Sequence, residues 1–410
     1  MTELENKEIS IPLPEPVAFV LGRLEAAGYH AYAVGGCVRD HLMGRIPGDY
    51  DVTTDARPEE MQAVFADCRV VETGLKHGTL TVVRDGMNVE TTTYRIDGTY
   101  ADGRHPDAVT FTDRLADDLC RRDFTINAMA YAPGQGIVDL FGGRADLAAH
   151  RIRCVGRAAD RFAEDGLRIL RALRFASVLD FACDAECRDA VTDGMALLDR
   201  ISRERICAET TKLLGGVGAA RILGEYAPVV AHVLPPLTAE NVRRAAEVFA
   251  RMEREVPVSV RCAVLLDSLD AETAGHVMDT LKPSRDEKRA VLSLLTRRGE
   301  IDRSPYGVKC LMRDAGDGFP EVWAGFAALT GRITRDEADE VKRVARAILA
   351  ADECRSLGGL RVDGRDLAAR GFRGPQIGET LAALLDQVMR GEIPNEREAL
   401  LAQLEVSENG

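Results

Sequence analysis

Tyr32-Ala33-Val34-Gly35-Gly36-Cys37-Val38-Arg39-Asp40 runs from a short apolar triplet into a glycine pair and then into charge, and Asp49-Tyr50-Asp51-Val52 follows soon after. Short runs rich in β-branched and aromatic side chains, closed by turn residues, read as strands rather than helices. Tyr32 to Val34 and Tyr50 to Val52 fit that description, as do Leu80 to Val83 and Asn88 to Tyr94 further on. Asp85-Gly86 supplies a hairpin turn between the last two, because both residues tolerate the left-handed backbone such a turn needs. Amphipathic helices are expected at Pro16 to Ala27 and Pro58 to Phe65, the second with proline in its first turn, where a missing N–H is harmless. Residues 1–150 are therefore expected to form a small head domain built on a mixed β-sheet.

The pattern changes after Gly142-Gly143, and from about Arg161 helical periodicity dominates. Breaks are expected at Gly215-Gly216, Pro235-Pro236, Pro283-Ser284 and from Asp314 to Pro320. The fold class is α+β, with the mixed head followed by an all-helical neck (151–215), body (216–300) and tail (301–410). No sequence repeat and no low-complexity segment interrupts this plan.

Composition narrows the class. The 410 residues leave room for several packed units, and aromatics at 5% beside charged residues at 29% favour helices over a sandwich or barrel. No apolar run is long enough to span a membrane. Met1 to Pro16 is acidic and proline-bearing, unlike a secretory signal, so a cytoplasmic protein is expected. The ten cysteines lack paired metal-site spacing; Cys183 and Cys187 have no histidine pair beside them, and reduced thiols are the expectation. No His-Asp dyad occurs among the seven histidines, which removes one common kind of metal-dependent phosphohydrolase. A net charge of −13 excludes a protein that coats nucleic acid by bulk attraction. From Arg151 to Leu213, however, twelve Lys/Arg face eleven Asp/Glu, so an RNA partner would meet a focused basic groove with salt-sensitive binding.

The chemistry concentrates in the head. Two glycines let backbone N–H groups approach a phosphate, and Arg39 can add charge-assisted bonds. In a strand, residues i and i+2 share a face, so Asp49 and Asp51 would project together as hard oxygen ligands suited to Mg²⁺ carrying a nucleotide triphosphate. A Gly-Gly turn alone is usually a turn, and a lone acidic pair is usually a solvated edge. Their combination with Arg39 on a strand is far more specific, whereas a dinucleotide-binding reading is weak because no Gly-x-Gly-x-x-Gly follows. Glu90, on an alternating strand, either faces outward as an ordinary polar position or adds a third carboxylate; both readings stand. Asp165 and Arg168 are three apart and would share a helix face, with Arg171 and Arg174 continuing the flank.

At these residues the chain resembles the class II nucleotidyltransferases, which include CCA-adding enzymes and bacterial poly(A) polymerases. Gly35 to Asp40 with Asp49-Tyr50-Asp51 is similar to that family's first motif, and Arg121-Arg122-Asp123-Phe124-Thr125-Ile126-Asn127-Ala128 resembles its second. Ile137 to Gly143 looks like the hinge between head and neck, Glu164 to Phe175 resembles the base-selecting motif, and Ile201 to Ile206 with Glu209 and Lys212 resembles the fifth, structural motif. The five stand in the family's order across about the first 215 residues. Leu367 and Gly371 to Gly378 look like the tail of bacterial CCA-adding enzymes that lack a phosphohydrolase domain.

The resemblance implies a template-independent enzyme adding CTP and ATP to a tRNA 3′ end with Mg²⁺. Asp49 and Asp51 would hold metal and Glu90 would assist catalysis. Gly36, Arg39, Arg122, Arg171 and Arg174 would steady the triphosphate, Asp123 the ribose hydroxyls, and Asp165 with Arg168 the base, while Asn127 would brace the loop. The neck would carry base selection and the tail tRNA binding. Ile96 to Phe111 resembles the flexible loop that CC-adding enzymes lack. An A-adding enzyme or poly(A) polymerase remains the alternative. A catalytically idle tRNA-binding protein is disfavoured by the intact Asp49, Asp51 and Arg168, and a small-molecule nucleotidyltransferase by the long helical body.

Overall fold

The computed structural model describes residues 10–98, 109–299 and 301–407. Its head opens with helix α1 (Glu15–Ala26), whose Val17, Val20, Leu21 and Leu24 are buried. Strand β1 (Ala31–Val34) leads into the short helix α2 (Gly36–Leu42), and β2 (Asp51–Thr54) into α3 (Pro58–Val64). Strands β3 (Arg69–Val71), β4 (Thr79–Arg84) and β5 (Met87–Thr93) complete one side. A separate antiparallel pair, β6 (Arg95–Asp97) and β7 (Val109–Phe111), flanks residues 99–108, so most of the Ile96 to Phe111 loop lies outside the described residues. Helix α4 (Leu115–Cys120) then precedes β8 (Met129–Ala132) and β9 (Gly136–Asp139).

The seven-stranded sheet runs β3-β4-β5-β2-β1-β8-β9 and is mixed, since β2 and β5 are parallel while the other neighbouring pairs are antiparallel. The central β1 and β8 are buried along their whole length, which is why they read as continuous apolar runs. Strand β5 alternates instead, with Val89, Thr91 and Thr93 buried and Asn88 and Glu90 exposed. The hairpin falls where expected, with Asp85 at φ 49° and Gly86 at φ 78° closing Arg84 onto Met87. The acidic strand is shifted: β2 begins at Asp51, so Asp49 and Tyr50 precede it and the two carboxylates are not alternate positions of one strand.

Helix α5 (Gly143–Ala148) follows the hinge, where Asp139 accepts from the backbone N–H groups of Gly143 (2.8 Å) and Arg144 (2.9 Å). Gly143 is required there by contact, because a Cβ would lie 2.3 Å from the Thr125 carbonyl oxygen. The neck contains β10 (Arg151–Ile152), α6 (Ala158–Glu164), α7 (Leu167–Leu179), β11 (Ala182–Cys183), α8 (Ala185–Asp193) and α9 (Arg203–Leu214). It is thus not purely helical: Asp180 in the left-handed region (φ 57°) turns the chain after α7, so that β11 pairs parallel with β10. Beyond α9 every regular element among the described residues is helical. The first three expected breaks fall between helices, and the fourth narrows to residues 316–318, because Asp314 and Ala315 end one helix and Phe319 and Pro320 begin the next.

Two compact units result. One comprises Met1–Ala246 with Thr280–Pro283, the other Glu247–Asp279 with Ser284–Gly410. Leu367 is fully buried in the second, in a cluster with Leu384, Leu385, Val388, Met389, Leu400 and Leu404. Ser284 caps its helix reciprocally with Glu287, and Thr334 does the same with Glu337.

Candidate active site

Parallel pairing of β2 with β5 sets Asp51 directly beside Glu90, two residues brought together across 39 positions of sequence by strand register. Both carboxylates reach solvent at the sheet surface. The Asp51 carboxyl is nevertheless pushed up to about 6, first by desolvation among the surrounding groups and further by the charges of Asp49 and Glu90, with Arg122 pulling the other way. Asp49 therefore acts on Asp51 despite lying before the strand. Tyr50, buried between them, is held by His41, whose Nε2 is 2.9 Å from the phenolic oxygen.

Arg122 is anchored by Asp118, whose Oδ2 accepts from Nη2 at 3.3 Å. Asp118 is fully buried and also accepts from Arg121 Nε (2.9 Å) and Thr53 Oγ1 (3.1 Å). Burial alone would raise its pKa, but the two arginines and these bonds outweigh it and hold the carboxyl below its ordinary value. Gly35 opens the approach to Arg122: it takes φ 80°, and a Cβ there would lie 3.1 Å from Arg122 Nη1. Gly36 then begins α2, which carries Arg39 inward. Arg39 donates to Asn127 Oδ1 (2.6 Å) and to Asp40 Oδ1 (2.9 Å).

Asp123 lies against the neck. Its Oδ1 accepts from Phe124 N–H (2.8 Å) and Asn127 Nδ2 (3.1 Å), and its Oδ2 from Arg171 Nε (2.9 Å) and Nη2 (2.5 Å). Burial opposes ionisation, yet the Arg171 charge and these bonds bring the carboxyl down to about 2. Four donors occupy the acceptor sites a carboxylate offers. That leaves none for ribose hydroxyls in this arrangement, in which Arg171 is the charged partner of Asp123. Asn127 joins Asp123 to Arg39, accepting from Arg39 at Oδ1 and donating to Asp123 through Nδ2.

Asp165 and Arg168, the pair expected to select the base, are placed differently from the expectation. Asp165 does not share a helix with Arg168; it ends α6 in an extended conformation, and α7 starts two residues later. Its Oδ1 accepts from Leu167 N–H (3.0 Å) and its Oδ2 from Arg205 Nη2 (2.7 Å). Arg168 is buried and donates to Glu164 Oε2 (2.5 Å) and to the carbonyls of Arg161 and Arg121 (each 3.1 Å). Both groups retain hydrogen-bonding capacity beyond these partners. Arg174 meets Glu209 at 2.5 Å, and burial lowers its pKa.

The structure thus gathers Asp49, Asp51 and Glu90 at the sheet, with Arg122 bearing on them, and Arg39, Asp123, Arg171 and Arg174 on the floor where head meets neck. Asp118, Glu164, Arg205 and Glu209 were not singled out as site residues from sequence. The spacing of Asp118 to Arg121 and Arg122, and of Glu164 to Arg168, was a usable signal. Nothing local linked Arg205 to Asp165 or Glu209 to Arg174. Among the described residues no three His, Cys, Asp or Glu side chains form a ready-made metal cage. A hard cation that keeps several waters and substrate oxygens needs only one or two carboxylates, and Asp51 with Asp49 and Glu90 near it offers hard oxygen donors of that kind, so the donor set fits one.

Acidic groups on a mixed sheet with Arg122 acting on them, and further arginines where head meets neck, are the features of a polymerase-type nucleotidyltransferase head. Residues 31–153 match the family described as Poly A polymerase head domain, and residues 260–404 that described as tRNA nucleotidyltransferase domain 2 putative. The CCA-adding enzyme of Latilactobacillus sakei subsp. sakei (strain 23K) is 36% identical over 387 residues, covering 93% of this chain and 95% of the relative. That of Geobacillus stearothermophilus is 35% identical over 404 residues, covering 94% of this chain and 95% of the relative. The crystal structure of the Bacillus stearothermophilus CCA-adding enzyme in complex with CTP superposes with a TM-score of 0.82 at 31% identity, covering 97% of this chain and 100% of that one. The chain belongs to the CCA-adding enzyme family of class II tRNA nucleotidyltransferases. Among the described residues no helix is long and apolar enough to cross a membrane.

Proposed function

We propose that this protein adds the CCA sequence to the 3′ end of tRNA from CTP and ATP, without a nucleic-acid template, releasing pyrophosphate. The observation that carries the reading is a carboxylate and a guanidinium, Asp165 and Arg168, each fixed by its own partner while keeping spare hydrogen-bonding capacity beside the arginine floor. Cytosine and adenine both offer an exocyclic amine next to an unprotonated ring nitrogen. Asp165 accepts from the amine and Arg168 donates to the nitrogen. Uracil and guanine present a carbonyl and a ring N–H instead, and each mismatch costs about 1–3 kcal/mol in a closed site.

Asp49 and Asp51 would hold Mg²⁺, with Glu90 as a third oxygen donor beside them. The ion, when bound, supplies charge neutralisation at the triphosphate and acidifies the attacking hydroxyl. Arg39, Arg122, Arg171 and Arg174 steady the triphosphate, with the backbone at Gly36 close to it. Asp123 acts through Arg171. A cytoplasmic protein is the reading we adopt, in keeping with an N-terminal stretch unlike a secretory signal.

The test is incubation with tRNAs ending before the CCA, after C and after CC, with each labelled nucleotide, followed by sequencing of the products. Completion of CCA on all three is expected. Long adenosine tails would identify a poly(A) polymerase, and activity confined to the CC-ended substrate an A-adding enzyme.

A further inference from the structure

Phe175 is the last residue of the neck segment that carries Arg168, Arg171 and Arg174, and its ring is almost wholly buried. Three guanidinium groups surround it: Arg174 at 3.9 Å from the ring centroid, Arg39 at 5.2 Å and Arg171 at 5.6 Å. They come from two elements, Arg39 from α2 in the head and the others from α7 in the neck. Each has a different polar partner: Asn127 and Asp40 for Arg39, Asp123 for Arg171, Glu209 for Arg174. The aromatic ring is what the three share. Phe124 meets that ring edge-on, with centroids 5.7 Å apart and planes at 77°, which fixes how its faces are presented.

Three positive charges this close repel one another, and the repulsion is least screened where water is excluded. A ring face carries negative potential, so a buried aromatic attracts the cations that an aliphatic side chain of equal volume would merely touch. We propose that Phe175 is a positioning residue that gathers Arg39, Arg171 and Arg174 into one preassembled floor for the triphosphate. It never touches the substrate. The proposal rests on the reading that these arginines bind the triphosphate, and it adds what holds them together before the nucleotide arrives. Preassembly matters because ordering rotamer-rich side chains at the moment of binding weakens affinity.

Ring electronics can be altered while shape is nearly kept. Full-length protein carrying 4-fluoro-, 3,5-difluoro- and 3,4,5-trifluorophenylalanine at position 175 should fold with a Tm near that of the parent. The Kd for CTP by calorimetry, and the KM for CTP and ATP, should climb stepwise with fluorination, reaching about tenfold at the trifluoro ring while kcat changes by less than about twofold. Phe175→Leu should raise KM at least as much, and Phe175→Tyr should restore it. Arg171→Ala and Arg174→Ala in the native-ring background are the companions. If they raise the CTP Kd while the fluorinated series stays flat, the ring only fills space and the proposal is overturned with the triphosphate reading intact. If neither set moves the Kd, the triphosphate reading falls, and this proposal with it.

Discussion

Asp51 ionises at a cost to the folded protein. Its carboxyl titrates at about 6 in the metal-free protein, above its ordinary value of 3.8, so the folded state favours the protonated form. Folding stability from this group is full below its unfolded pKa and declines as pH rises through about 4 to 6. Asp51→Asn removes that penalty. It should raise the Tm of metal-free protein at pH 7.5, and the gain should vanish near pH 4. The same variant should lose incorporation by about a thousandfold or more and lose the stabilisation that added Mg²⁺ gives the parent. Binding of tRNA should survive, because the RNA is held mainly elsewhere. Comparable incorporation by variant and parent would remove Asp51 from the metal site. Asp51 was legible in the sequence because glycine pair, arginine and acidic pair lie within seventeen residues, Gly35 to Asp51. Its pairing with Glu90 was not, since strand register is decided by the whole sheet.

At the scale of elements, the amphipathic neck helix was readable from its arginine and leucine spacing, but its start was not. Asp165 looks helical by count, yet its side chain bonds the N–H of Leu167 and ends the preceding helix instead. This changes the expected result of exchanging the pair. Asp165→Arg with Arg168→Asp would set a guanidinium against Arg205 and a carboxylate against Glu164, so that variant should destabilise the neck rather than simply invert base choice. Arg205→Ala is the cleaner probe. It frees the Asp165 carboxylate, and discrimination for CTP and ATP over UTP and GTP should fall about tenfold while some incorporation persists. Unchanged discrimination in the folded variant would place selection elsewhere. A second element offers its own test. Shortening the segment between β6 and β7 should leave both cytidine additions and stop the product at CC; equal loss of C and A addition would indicate a general folding role.

For the molecule as a whole, a charge of −13 sets the terms of RNA recognition. Affinity for tRNA must come from local basic surface against a repulsive background. Raising monovalent salt from 50 to 200 mM should weaken tRNA binding about tenfold or more, the effect of displacing counterions from as few as two phosphates. A flat salt response, measured by filter binding, would contradict a phosphate-led interface. Beyond Gly215 the helical class and the approximate helix breaks were legible, because prolines and glycines punctuate that part of the chain. The two compact units were not: the unit holding the head takes back Thr280–Pro283 after the chain has left it, and Lys282 there pairs with Glu204 at 2.7 Å. A four-residue return leaves no compositional trace.

The floor between head and neck also has a history within each round of protein synthesis. The sheet cannot close until β8 and β9, residues 129 to 139, are available to flank β1. Asp123 then waits for Arg171, Arg174 for Glu209, and Asp165 for Arg205. A growing chain therefore displays Asp123 and Asp165 before their partners Arg171 and Arg205 have emerged. Domains mature as units in order of translation. The last of these partners, Glu209, lies about halfway along the polypeptide, so a stalled nascent chain should bind CTP only once α9 has left the exit tunnel; equal CTP binding by chains stalled before and after that point would contradict this.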